Sequence, residues 1–187
     1  FDWVLVPSLL TSLAIIIAIV GATVRRFKFT KKPKIKTKYD RRKTVEVALK
    51  KEAETGAPAA AMELPDGTLL TGRTSDLLGA ASGLLLNALK HMAGLDDSIL
   101  LMSPHVIEPI MDLKVNHLGN NNPRIHTDET LLALSICATT DDNAKRAMEQ
   151  ISNLRGCEVH STVILSPVDE RIFKRLGINL TCEPKYN

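Results

Sequence analysis

No Walker A sequence occurs in this chain, no G-x-G-x-x-G run follows a strand-like segment, and no G-x-S-x-G elbow is present. The first two absences exclude the familiar phosphate-cradling loops of nucleotide and dinucleotide sites. The third excludes a nucleophile of the α/β-hydrolase kind. Cysteine is scarce: Cys137, Cys157 and Cys182 are odd in number and show no C-x-x-C spacing. That pattern argues against a disulfide framework, predicts free thiols and fits a reducing compartment. Of the five histidines (His91, His105, His117, His126 and His160), His105 pairs with Glu108 at an i, i+3 spacing that can chelate. Set against structural-zinc spacings, the pair reads as a helix-start histidine beside a solvated glutamate. No metal and no cofactor is expected. No internal repeat is evident.

Charge is present but unevenly placed. The formal net charge is +3. Residues 25–43 hold eleven basic residues and one acidic residue, Asp40, whereas residues 44–187 hold thirteen basic and nineteen acidic. The basic character therefore belongs to one short segment. A nucleic-acid binder carries its basic patch on the fold itself, so that function class is not expected.

Residues 3–24 are 22 residues without a charge, followed at once by Arg25, Arg26, Lys28, Lys31 and Lys32. A bilayer-spanning helix needs ~20 apolar residues. The basic flank favours keeping that side in the cytoplasm. The expectation is a transmembrane helix over 1–24, a basic linker over 25–43 that attracts anionic headgroups or simply stops transfer, and a cytoplasmic domain over 44–187. The alternatives are a buried core helix, or a segment foreign to the domain, which would then be cytoplasmic. The chain begins at Phe1 rather than Met, which points to a fragment or a processed product.

Within 44–187 the pattern alternates. Residues 44–55 form an amphipathic helix stopped by Gly56 and Pro58. Two apolar runs flank Pro65, Asp66 and Gly67, which predicts a hairpin pairing 59–64 with 68–72 and a positive φ at Gly67. Thr74, Ser75 and Asp76 offer caps for a helix over 76–92 with Gly94 as its stop. The run Ser98-Ile99-Leu100-Leu101-Met102-Ser103 reads as a buried strand. Helices follow over 104–118, from Thr127, and over 141–154. A strand over 158–165, a helix from Ser166-Pro167 to Gly177 and a last strand over 178–182 complete the order. Strands separated by helices predict an α/β fold: a three-layer, largely parallel mixed sheet with the hairpin as an antiparallel edge.

That order resembles the cytidine-deaminase-like fold. Deaminase chemistry needs a His or Cys with a Glu at one helix start and P-C-x-x-C at the next. Here the expected starts read Thr74-Ser75-Asp76-Leu77 and Ser103-Pro104-His105-Val106, with the proline in place and both cysteines missing. Zinc deamination is excluded on those residues. Gly79-Ala80-Ala81-Ser82-Gly83 falls inside a helical pattern and reads as a close-packing face.

Polar residues gather after the expected strands. Arg73, Thr74 and Ser75 lead into a helix N-terminus, a natural anion site. His105 follows the strand at 98–103 as a candidate acid or base. Asn116, His117, Asn120, Asn121, Asn122 and Arg124 add hydrogen-bonding groups. Alternation sends His160 and Thr162 to one sheet face and Ser161 to the other. One reading is a pocket for a phosphorylated or carboxylated small molecule; the other is ordinary caps and turns.

Residues 63–91, 112–138 and 156–184 together resemble the C-terminal region of uncharacterised protein family 0371, large bacterial proteins sometimes labelled ATP-dependent peptidases. The likeness spans about two-thirds of the chain. Family members carry a larger N-terminal region with a glycine-rich, P-loop-like segment that has no counterpart here, so the resemblance transfers no nucleotide-binding residue. It implies no established activity and no catalytic residue; the missing motifs and the missing N-terminal region favour a non-catalytic accessory or interaction domain of a larger bacterial protein, homo-oligomeric or not. The alternative is a small-molecule enzyme or binder using the helix-terminus anion site.

Overall fold

Pro65, Asp66 and Gly67 turn the chain where the sequence predicts. Gly67 takes φ 85°, its N–H donates to the Leu64 carbonyl, and Asp66 Oδ1 accepts from the Thr68 N–H at 2.9 Å. The turn sets the register of β1 (Ala59–Glu63) against β2 (Leu69–Arg73), with Ala59 opposite Arg73 and Glu63 opposite Leu69. The computed structural model describes residues 42–186. The expected membrane helix over 3–24 and all but the last two residues of the basic linker lie outside the described residues. Among the described residues no helix is long and apolar enough to cross a membrane.

The sheet has four strands in the order β2-β1-β3-β4, where β3 is Glu158–Ser161 and β4 is Asn179–Cys182. β1 runs antiparallel to both β2 and β3, and β3 and β4 are parallel. The sheet is mixed as expected, but only one of its three pairings is parallel. The difference comes from residues 98–103, which form no strand. Leu101 and Met102 are buried in the helical core while Leu100 is exposed. An apolar run of four, Ile99 to Met102, satisfies its hydrophobic demand by packing alone when no neighbouring strand offers backbone partners.

Register divides the sheet's two faces. Ala60, Met62 and Val159 point into the main core with Leu84, Leu85, Leu89, Leu134 and Phe173. These side chains come from α2 (Ala80–Met92), α4 (Thr127–Cys137) and α6 (Pro167–Leu176); α3 (Pro104–Asp112) and α5 (Asp142–Met148) add Ile107, Ala144 and Ala147. Each fully buried Leu contributes about 1.5–3 kcal/mol relative to exposure. The opposite face carries Ala59, Ala61 and His160 and is covered by α1 (Lys43–Thr55) through Val45 and Ala48. There Thr162 Oγ1 donates to Glu52 Oε1 at 2.9 Å, and His160 Nδ1 lies 3.0 Å from Thr181 Oγ1. His160 and Thr162 thus hold α1 and β4 in place.

The stretch Gly79-Ala80-Ala81-Ser82-Gly83 is a packing face. At Gly72 a Cβ would come within 2.2 Å of the Leu84 N, so α2 rests directly on the β2 backbone. The helix starts at Ala80, not at Asp76. Ser75 explains the delay: its Oγ accepts from the Leu78 N–H at 3.1 Å and its N–H donates to the Leu78 carbonyl at 2.9 Å, closing a turn before the helix. None of the three cysteines is in a disulfide.

Candidate functional site

β2 and β3 both oppose β1, so both end on the same edge of the sheet. Beyond that edge each leads through a loop into a helix: 74–79 into α2 and 162–166 into α6. A third loop, 119–126, enters α4 between them. Its position is set by backbone: Ile125 donates to the Leu77 carbonyl at 3.0 Å, and Ser82 Oγ donates to the Ile125 carbonyl at 3.0 Å. The three loops enclose a cavity of about 370 Å³ whose lining includes Thr74, Ala80, Asn121, Asn122, Arg124 and His126 on one side, and Ser166 and Asp169 on the other.

Asp169 is the hub. It is 6% exposed. Its Oδ1 accepts from the Thr127 N–H at 2.9 Å. Its Oδ2 accepts from Ser166 Oγ at 2.7 Å and lies 3.1 Å from His126 Nδ1. Burial works against its ionisation, but the bonds from His126, Ser166 and Thr127 outweigh it and hold the carboxyl below its usual range. The bond to Asp169 raises His126 above the ordinary imidazole value, against the opposing effect of burial. An ionised Asp169 accepts, so Nδ1 carries the proton; Nε2 has no partner among the described residues, and the residue lines the cavity.

A second pair braces the loop. Lys114 is buried in a π-helical turn, Leu113–His117, that continues α3. Its Nζ donates to Glu129 Oε2 at 2.8 Å and to the Arg124 carbonyl at 2.6 Å. Glu129 Oε2 also accepts from the His126 N–H at 2.7 Å. The Arg124 side chain reaches across to the loop after β2, where Nε donates to the Ser75 carbonyl at 2.6 Å. Its two terminal nitrogens have no acceptor among the described residues. The start of α2 is open too, since Gly79 supplies no side-chain cap. The starts of α4 and α6 are already closed by Asp169 and Ser166.

The cavity therefore gathers a paired histidine, an arginine with donors to spare and one uncapped helix N-terminus. That set favours an anionic group. Thr74, Asn121, Asn122 and Arg124 are the sequence-stated candidates that it holds. Arg73 does not line it; this residue sits on an adjoining polar cleft with Thr74, Ser75 and Arg124. Ser75 lies before the helix, and its N–H is used in the turn. His105 is outside: its side chain is 93% exposed and its Nδ1 lies 4.0 Å from Glu108. The expected meeting of Arg73 and His105 required a strand at 98–103, which does not form. Asn116 donates to Asp112 Oδ1 at 2.6 Å, His117 lies 3.8 Å from Asp112 Oδ2, and Asn120 is exposed; none of these three lines the cavity. His126, Ser166, Asp169, Lys114 and Glu129 were not singled out. Ser166-Pro167-Val168-Asp169 was legible only as a helix start, and nothing local links it to His126.

The profile of the family described as Domain of unknown function DUF1846, C-terminal, matches residues 40–187. The chain belongs to this family. It is 56% identical to the UPF0371 protein of Corynebacterium diphtheriae over 80% of this chain and 30% of that protein. It is 59% identical to the relative in Corynebacterium efficiens over 78% of this chain and 29% of that protein. With a Streptococcus pneumoniae relative the identity is 47% over the same shares, 78% and 29%. The chain thus spans about 30% of the length of the curated relatives it matches. The family names state no activity.

Proposed function

We propose that this DUF1846 domain binds a phosphorylated or carboxylated small molecule in the cavity between the loops 74–79, 119–126 and 162–166. The observation that carries the reading is His126. Its Nδ1 is taken by buried Asp169, its second nitrogen has no partner among the described residues, and the residue lines a cavity that also holds Arg124 and the open start of α2. A carboxylate behind an imidazole fixes the tautomer and supports an imidazolium, which suits the ring to bind an anion or to exchange a proton with a ligand hydroxyl.

The cytidine-deaminase-like reading contributes only the placement of a site beyond the strand ends. The helices after β2 and β3 start at Gly79-Ala80-Ala81 and Ser166-Pro167-Val168-Asp169. The proline recurs, and no cysteine or histidine accompanies it. A membrane anchor at residues 3–24, with this domain on the cytoplasmic side, is supported by the apolar run and its basic flank.

A direct test is calorimetric titration of the 187-residue chain with inorganic phosphate and with a panel of phosphate monoesters. Saturable binding that Arg124→Ala or His126→Gln weakens at least tenfold, with the fold intact by circular dichroism, supports the reading. Equal binding by wild type and Arg124→Ala removes it.

A second reading, an interaction domain of the larger protein, is favoured by Leu132 and Ile136, one turn apart on α4 and 65% and 68% exposed. Analytical ultracentrifugation of the chain alone and of Leu132→Glu separates self-association from a patch meant for the rest of the family protein.

A further inference from the structure

The cavity and the cleft beside it share two residues, Thr74 and Arg124. The cleft has a volume of about 420 Å³ and is walled by 56–58 at the end of α1 and by 73–76 after β2. The Arg124 guanidinium stands between the two spaces, because its Nε is tied to the Ser75 carbonyl on the rim of the cleft while the residue also lines the cavity. Arg73 borders the cleft but not the cavity, and on its other side it lines an apolar hollow with Leu78, Leu101 and Ile107. Its side chain makes one long bond, Nη1 donating to the Thr74 carbonyl at 3.5 Å, and its other donors have no acceptor among the described residues. Asp76 is the one acidic residue on the cleft, and it is exposed. Two guanidinium groups flank one polar cleft. One of them borders a second polar cavity holding His126.

From this arrangement we infer that the ligand carries two anionic groups, one beside His126 and the start of α2, the other between Arg73 and Arg124. The ligand class is a diphosphate or a bisphosphorylated small molecule lying across Arg124. Guanidinium groups are the side chains best matched to phosphate, because their planar fork donates two parallel bonds. The inference rests on the proposed anion site and extends it by a second subsite.

The test uses inorganic phosphate and pyrophosphate titrated into the 187-residue chain by calorimetry at fixed ionic strength. Pyrophosphate should bind about tenfold or more tightly than phosphate, as one further charge-assisted contact implies. Arg73→Ala should abolish that advantage and leave phosphate binding unchanged. Lys145→Ala, an exposed and remote change of equal charge, should leave the advantage intact and so exclude a general effect of net charge. Phosphate binding that Arg124→Ala removes, with no pyrophosphate advantage or with equal loss in Arg73→Ala and Lys145→Ala, overturns the second subsite and keeps the first. Absence of phosphate binding overturns both.

Discussion

His126 and Asp169 lie 43 residues apart in the chain and meet with Nδ1 and Oδ2 3.1 Å apart, at the start of two different helices. The same carboxylate closes the N-terminus of α4 and fixes the ring that lines the cavity. Structure and chemistry are coupled at this contact, so its titration can be read in both.

His126 is raised above its ordinary value and Asp169 is held below its own. The histidine's contribution to stability is complete below the unfolded value of about 6.5 and is lost as pH rises through the higher folded value. The aspartate's contribution is present above its unfolded value of about 3.9 and is lost as pH falls through the lower folded value. Urea unfolding should show this pair helping most between those two unfolded values. Asp169→Asn should return the His126 midpoint, followed by NMR, toward or below the ordinary range. A midpoint unmoved by that substitution would show that the carboxylate does not set it.

Lys114→Met should destabilise the domain by about 3 kcal/mol, the low end for breaking a buried pair, because Glu129 remains partly exposed. The same change removes the bond that holds the Arg124 carbonyl, so phosphate affinity should fall along with stability. Denaturation and calorimetry on the one variant check both. A stable variant with normal affinity would mean the brace is idle.

Two glycines should fail for different reasons. A Cβ at position 67 meets no atom within 4 Å, yet Gly67→Val forces a β-branched residue to φ 85°, at about 1–3 kcal/mol. Gly72→Ala keeps an ordinary backbone but drives its Cβ into the α2 backbone, which cannot rotate away, so about 1–3 kcal/mol or more is expected from overpacking. Urea midpoints measure both, and an unshifted midpoint for Gly72→Ala would mean that α2 slides freely on β2.

Cys157 is 2% exposed, and burial pushes its thiol above the ordinary value. The thiolate is the reactive form. Iodoacetamide should therefore modify Cys157 in native protein far more slowly than in urea, by peptide mass mapping. Rapid labelling of the native chain would show that the end of the 3₁₀ turn Ile151–Leu154 opens readily.

The hairpin was legible because Pro65, Asp66 and Gly67 act within four residues of one another, and φ at Gly67 is a local matter. The start of α6 was legible for the same reason, with Ser166 Oγ accepting from the Asp169 N–H at 3.2 Å. The stops at Gly56, Gly94 and Gly177 all take positive φ. The start of α2 was misread by several residues, since Ser75 is a good cap that here closes a different turn.

The sequence by itself determined the turns, the helix stops, the α/β class, the family and the polar character of the loops at 73–75 and 120–124. These depend on backbone preferences and hydrogen bonds between near neighbours. Only the tertiary structure decided that residues 98–103 pack without pairing, that His105 is exposed and lies outside the cavity, and that Arg124 crosses to Ser75. It also decided that His126 finds Asp169. Those outcomes depend on contacts tens of residues apart, where the gain from burial and charge pairing must exceed the entropy of closing long loops, and no local pattern encodes which partner wins.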